Sequence, residues 1–255
     1  MKNKLSFFGV SILMGISFSD CLYAQKDAEI VTPYKSSSVL TNPAPIGFQP
    51  VAISYNEAAE EASANATVAG FSAVYFTSAD LQYLLSDSRG VGLRFYNARE
   101  DMTIGSGNIV AVAVKSDGSE INPALSKSYI ISRPLTNTST FLNPIAKSTA
   151  KVCVSNACNT PDLIPYTAFF SRSIIDELLK QTGAAGVKLI PASRKFEMKD
   201  SKGVTTVKTY RTMMAVGVAL KDGKIADIGS QYLKSLEPCP YHCPTDNVLL
   251  MPAKY

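Results

Sequence analysis

Residues 238–244 read PCPYHCP, in which Cys239 and Cys243 enclose Pro240, Tyr241 and the only histidine of the chain, His242. Three kinds of chemistry use such a cluster. Cysteine thiolates spaced by two to four residues can ligate zinc. A thiol pair can exchange with disulfides when a helix N-terminus or a nearby cation depresses the nucleophile's pKa. Alternatively, the two sulfurs close a loop covalently. CVSNAC supplies two more candidates, so Cys153, Cys158, Cys239 and Cys243 also make a possible four-cysteine zinc set.

The compartment decides among these. The chain opens MKNKLSFFGVSILMGISFSDCLYAQ: Lys2 and Lys4, a short apolar run from Leu5 to Ile16, then Ala24 before a polar stretch. This is the layout of a secretory signal peptide, predicted over 1–24, and the run is too short for a stable spanning helix. No later stretch reaches the roughly 20 apolar residues of a transmembrane anchor. Cys21 offers lipidation as an alternative to cleavage after Ala24, but Asp20 is ill suited to the position before an acylated cysteine. The predicted destination is the periplasm, the cell surface or the medium. Four cysteines in such an oxidising place point to disulfide bonds.

Four cysteines allow three pairings. Local pairing asks least of the chain. A turn at Ser155–Asn156 sets Cys153 across from Cys158, and Pro240 favours the bend that brings Cys239 to Cys243. The crossed pairing instead ties the middle of the chain to its tail and closes longer loops. Zinc ranks below disulfides on compartment grounds, and His242 is cramped between Cys239 and Cys243 as a third ligand. A redox centre of Cys239, His242 and Cys243 ranks lower again. Three residues intervene, Pro244 follows, and Pro252 interrupts the short remainder.

Other catalytic arrangements are poorly supplied. GxSxG and HExxH are absent, and any histidine-based triad must use His242. Glu100–Asp101 and Asp176–Glu177 read as solvated acids or helix-dipole partners. Arg94, Arg99 and Arg194 recur near strand ends; a surface for an acidic ligand is one reading, and edge charges that discourage aggregation are the stronger one. GSGN at 105–108 lacks the strand-loop-helix setting of a phosphate loop and reads as a loop. Removing 1–24 leaves 25 − 2 basic and 21 − 1 acidic residues, a formal +3. With no Lys/Arg run, this excludes nucleic acid as the expected partner. The chain also lacks Trp, the commonest sugar-stacking residue.

The elements around these residues form a pattern. Residues 25–50 carry Pro33, Pro43, Pro45 and Pro50 and read as an extended leader. Ser54 and Glu57 form a capping box for a helix over 54–66. Segment 72–98 can be laid on 167–192: an aromatic patch, a hydroxyl-rich start, an apolar helix stripe, a glycine break and a strand. Leu81, Leu84 and Leu85 match Ile175, Leu178 and Leu179. NIVAVAVKSDG at 108–118 likewise matches MMAVGVALKDG at 213–223, each ending in Asp-Gly. Tyr75, Phe76, Phe169 and Phe170 read as core. KDSKG at 199–203 reads as a hairpin tip.

The expected fold is therefore α+β, with two tandem related units, each a helix packed on an antiparallel sheet, stapled by disulfides. The units span 51–125 and 166–255, and 126–165 connects them with two irregular strands and the Cys153/Cys158 loop.

The order of a helix, QTGAAGVKLIPAS, MMAVGVALKDGKIADI and a terminal PCPYHCP resembles a group of small Bacteroidota proteins to which no activity is attached. They carry a QTG helix end, an IVGV-type strand and a CPPxCP-like tail. The match spans about 165–244 and, more loosely, 50–120; Tyr241, His242 and the export signal depart from it. The resemblance implies a shared fold and a bacterial envelope setting, and supplies no function. The expected role is an exported, non-catalytic binding or structural protein of the envelope, without a cofactor, whose partner is another envelope protein or surface component. The alternative is a thiol-disulfide oxidoreductase or zinc protein using CPYHC.

Overall fold

The computed structural model describes residues 50–69, 73–100, 107–121, 128–158, 167–199 and 204–235, with the backbone alone at 66–69, 158, 194–199 and 206–210. In chain order the elements are β1 (Val51–Ser54), α1 (Tyr55–Ala69), β2 (Val74–Thr77), α2 (Ser78–Leu84), β3 (Gly92–Arg99), β4 (Gly107–Val114), β5 (Tyr129–Ile131), β6 (Arg133–Pro134) and β7 (Pro144–Ile145). There follow α3 (Lys147–Cys158), β8 (Thr167–Ser171), α4 (Arg172–Lys180), β9 (Gly186–Lys199), β10 (Thr205–Lys221), β11 (Lys224–Asp227) and β12 (Gln231–Lys234). The fold is α+β with antiparallel sheets.

Local signals place several elements. Ser54 N donates to Glu57 Oε2 at 2.8 Å and Glu57 N to Ser54 Oγ at 3.3 Å, closing the predicted capping box of α1. Thr77 and Asp80 make the same reciprocal cap on α2. Leu81, Leu84 and Leu85 are buried, as are Ile175 and Leu178, so both predicted stripes face the core. The β10–β11 turn has φ of 52° at Asp222 and 71° at Gly223, positive at the two central positions of a two-residue hairpin.

One sheet runs β1-β12-β10-β9-β2-β6, with β11 also on β10; the other runs β7-β5-β4-β3-β8. A shared apolar layer joins their inner faces, containing Phe76, Leu93, Phe95, Ile109, Phe170, Leu189 and Met213 together with the stripes of α2 and α4. Phe95 meets Phe76 at 5.4 Å and Phe170 at 5.9 Å between ring centroids, both edge-on, a geometry worth about 0.5–1.5 kcal/mol per pair beyond burial. On the outer faces, α1 covers Ile190, Met214, Val216 and Tyr232 with Ala58, while α3 covers Tyr96, Val110, Val112 and Tyr129 with Ala150, Cys153 and Val154.

The pairing is reciprocal. β2 precedes α2 and β3 but lies in the sheet of β9 and β10; β8 precedes α4 and β9 but lies in the sheet of β3 and β4. Thr77 pairs with Gly186, and Ser171 with Gly92. Ser78 N donates to Ala185 O and Arg172 N to Val91 O, each at 2.8 Å. Ser132 N donates to Ile109 O and Ser235 N to Met213 O. Tyr129 stands opposite Ile145 and Tyr232 opposite Ile53. Close approach explains the glycines: a Cβ on Gly92 would sit 2.5 Å from the Phe170 carbonyl oxygen, and one on Gly186 closer still to that of Phe76.

Two expectations are corrected. Residues 147–158, expected to turn back at Ser155–Asn156, form the helix α3. Ala150, Cys153, Val154 and Ala157 give it a buried stripe at i, i+3, i+4 and i+7. Arg94 and Arg99 are buried instead of lying at exposed edges; Arg194 is described by its backbone alone. The 101–106 part of the loop before β4, the tip at 200–203 and residues 1–49 lie outside the described residues, while Gly107 and Asn108 already belong to β4.

Candidate functional site

Cys239, His242 and Cys243 lie outside the described residues, as does the side chain of Cys158. Cys153 is a free thiol buried on α3, and burial, reinforced by the charge of Glu100, pushes its pKa up. Five helical residues advance the chain by about 7.5 Å, beyond the Cα spacing a disulfide spans. The helix therefore separates Cys153 from Cys158 where a hairpin would have joined them. A buried, protonated thiol is a poor nucleophile and a poor zinc ligand. Among the described residues, no group of three or more His, Cys, Asp or Glu could hold a metal ion. Glu100 accepts from Asn108 Nδ2 at 3.2 Å, while Asp101 lies outside the described residues. Asp176 and Glu177 lie on α4, the first half-buried and the second exposed.

The structure assembles polar residues that their spacing did not advertise. On the α3-covered face, Glu120 accepts from Tyr96 Oη and, at 3.0 Å, from Tyr129 Oη. Arg94, two residues before Tyr96 on β3, donates to Gly118 O at 3.0 Å and pulls electrostatically on Glu120. Burial pushes the Glu120 carboxyl above its ordinary range, against the opposing pull of the two tyrosines, Arg94 and Lys147. It also raises Tyr96 and Tyr129, with the charge of Glu120 adding to the effect. Both phenols therefore remain donors at neutral pH.

The other sheet repeats this set. Asp227 accepts from Tyr232 Oη at 2.5 Å and pairs with Lys188. Gly92 to Arg94 and Gly186 to Lys188 are the same step along β3 and β9; Glu120 makes an isolated bridge back to Val114 of β4, and Asp227, on β11, pairs with Val218 of β10. The second set is more open, with Lys188 14% and Asp227 21% exposed at their side chains. Burial raises Tyr232, with Asp227 and Tyr55 contributing. Beside it, residues Ala52 to Asn56 with Ser230 and Gln231 line an open cleft of about 410 Å³.

A third set is internal. Asp80 accepts from Thr77 N at 2.9 Å, Thr77 Oγ1 at 2.8 Å, Asn143 N at 3.2 Å and Arg133. Arg133 also donates to Phe141 O. The guanidinium thereby joins α2 to the 135–143 loop. Of the residues in these three sets only Arg94 stood out in the sequence, and there as an edge charge; its alternation with Leu93 and Phe95 was the available sign that a second face of β3 had to be covered. Compared with protein-family models, curated proteins and solved structures, the chain matches none.

Proposed function

We propose that the chain is an exported, non-catalytic binding or structural protein of the cell envelope, built from two related units that exchange strands. The units would be β1 to β5 and β7 to β12. Their shared order β-α-β-α-β-β, the reciprocal pairings and the recurrence of cation, carboxylate and tyrosine as Arg94/Glu120/Tyr129 and Lys188/Asp227/Tyr232 support duplication. The signal-like opening supports export, and the likeness to Bacteroidota proteins supports an envelope-bearing bacterial setting.

One observation carries the non-catalytic reading. Asp80, Arg94, Glu120 and Arg133, all 0–5% exposed, are engaged in holding elements together. Ionisable groups spent in this way stabilise a scaffold and do not reach a solute.

In this reading the tail carries a Cys239–Cys243 bridge, and the competing role is thiol exchange or zinc binding by CPYHC. Thiol counting on the mature chain in denaturant, with zinc analysis, separates them. Two thiols before reduction, four after, and no stoichiometric zinc are expected. Rapid alkylation of Cys239 in the native protein at neutral pH, or one zinc per chain, would overturn the proposal.

A further inference from the structure

The hairpins β3–β4 and β9–β10 run in step from Gly92 opposite Val114 and from Gly186 opposite Val218. The first ends at Arg99 opposite Gly107, which corresponds to Ser193 opposite Arg211 in the second. The second continues for six more pairs, from Arg194 opposite Tyr210 to Lys199 opposite Thr205. At about 3.4 Å per residue this adds roughly 20 Å of ribbon. Among the described residues no third strand pairs with it: β2 joins β9 at Gly186–Leu189, and β12 and β11 join β10 at Met214–Ala215 and Val218–Lys221. Two strands alone are marginally stable in water, so a ribbon of this length is readily explained by something that binds it.

Its charge indicates what. The paired segments 194–199 and 205–210 carry Arg194, Lys195, Lys199 and Lys208 against Glu197, a net 4 − 1 = +3. After Ala24 the whole chain has 23 basic and 20 acidic residues, leaving 19 of each outside the ribbon. The excess charge of the exported chain is thus concentrated in these twelve residues. Edge lysines also deter sheet-to-sheet pairing, but that device does not require the rest of the chain to be neutral. Apolar residues share the register: Arg194, Phe196 and Met198 alternate on one face, with Tyr210, Lys208 and Thr206 as their partners. Basic charge interleaved with aromatic and apolar positions suits a lipid headgroup boundary, where phosphates attract the cations and the acyl margin accepts the rings. A soluble polyanion would use the charge alone.

We infer that the β9–β10 ribbon is a docking arm for an anionic bilayer surface. The inference goes beyond the two-unit proposal and stands on its own charge count. The test is sedimentation of the chain lacking residues 1–24 with vesicles at low ionic strength, one-third phosphatidylglycerol in phosphatidylcholine against phosphatidylcholine alone. Binding only to the anionic vesicles is expected. Each basic residue near such a surface contributes about a fivefold effect, so R194Q/K208Q, which removes the two cations of the face shared with Phe196 and Met198, should weaken binding by about twenty-five-fold. K180Q/K221Q/K224Q, removing three exposed lysines elsewhere, should leave it unchanged, and matching circular dichroism and melting curves exclude misfolding. Failure of the parent chain to bind anionic vesicles would overturn the inference. So would equal losses in the ribbon variant and the control variant, an unaffected ribbon variant, or binding to heparin without binding to vesicles.

Discussion

Gly92 lies opposite Ser171 and Gly186 opposite Thr77, each with a carbonyl of the facing strand too close for a Cβ, so alanine at either position should destabilise the fold by a similar and large amount. A new Cβ at position 92 would sit 2.5 Å from the Phe170 carbonyl oxygen and 2.6 Å from the Phe169 ring, so these atoms would have to withdraw by about 0.9 Å to reach an ordinary contact. At position 186 the obstacle is the Phe76 carbonyl. Overpacking usually costs 1–3 kcal/mol. Here the displaced atoms are backbone held in paired strands, which puts the expected cost near the top of that range, about 3 kcal/mol for each variant. In urea this corresponds to a midpoint lowered by about 1–1.5 M, and in thermal melts to a loss of about 6–12 °C. Gly223 is the control. It has φ of 71° but nothing within 4 Å of a Cβ, so Gly223→Ala should cost only the left-handed backbone term of about 1–2 kcal/mol. If Gly186→Ala or Gly92→Ala lies within about 1 kcal/mol of the parent, β2 does not lie on β9, or β8 on β3, as described.

Two further outcomes follow from the internal polar sets. Removing the cation beside Asp80 by Arg133→Met leaves a buried carboxylate uncompensated and should cost about 3–5 kcal/mol. Asp80→Asn in the same chain should recover part of that loss in a double-mutant cycle of urea unfolding, and additive losses would refute the coupling. For Glu120, the folded pKa is raised above the ordinary 4.5, so the unfolded chain ionises first. Its contribution is complete below 4.5 and declines as pH rises towards the folded value. Relative to Glu120→Gln, the parent should therefore lose stability from pH 4.5 towards neutrality; parallel stability profiles for the two proteins would contradict a raised value.

What could be read from the sequence was local. The cap of Ser54 and Glu57, the stripes of α2 and α4, and the turn at Asp222–Gly223 each lie within a few residues, where geometry follows directly from residue type. The same order of elements was also visible in both segments. The helix α3 was hidden by its own composition: KSTAKVCVSNAC is rich in residues that favour caps and turns, and only Ala150, Cys153, Val154 and Ala157 marked its buried side. The identity of each strand's neighbour was not legible, because alternation specifies a face and not a partner. Arg94 and Glu120 were illegible for a related reason. A charged residue on or beside a strand reads as solvent-facing until a helix from later in the chain is known to lie over it.

The pairing of β2 with β9 and of β8 with β3 also sets an order of events. Val74 must wait for Leu189, more than a hundred residues later, before its strand acquires a neighbour on that side. A chain emerging N-terminus first therefore delivers α1 and β2 well before their sheet exists, with Tyr75 and Phe76 still lacking their final surroundings. Contacts so distant along the chain make for slow closure. Completion of either half requires the other, so the last steps of folding belong to the whole polypeptide at once.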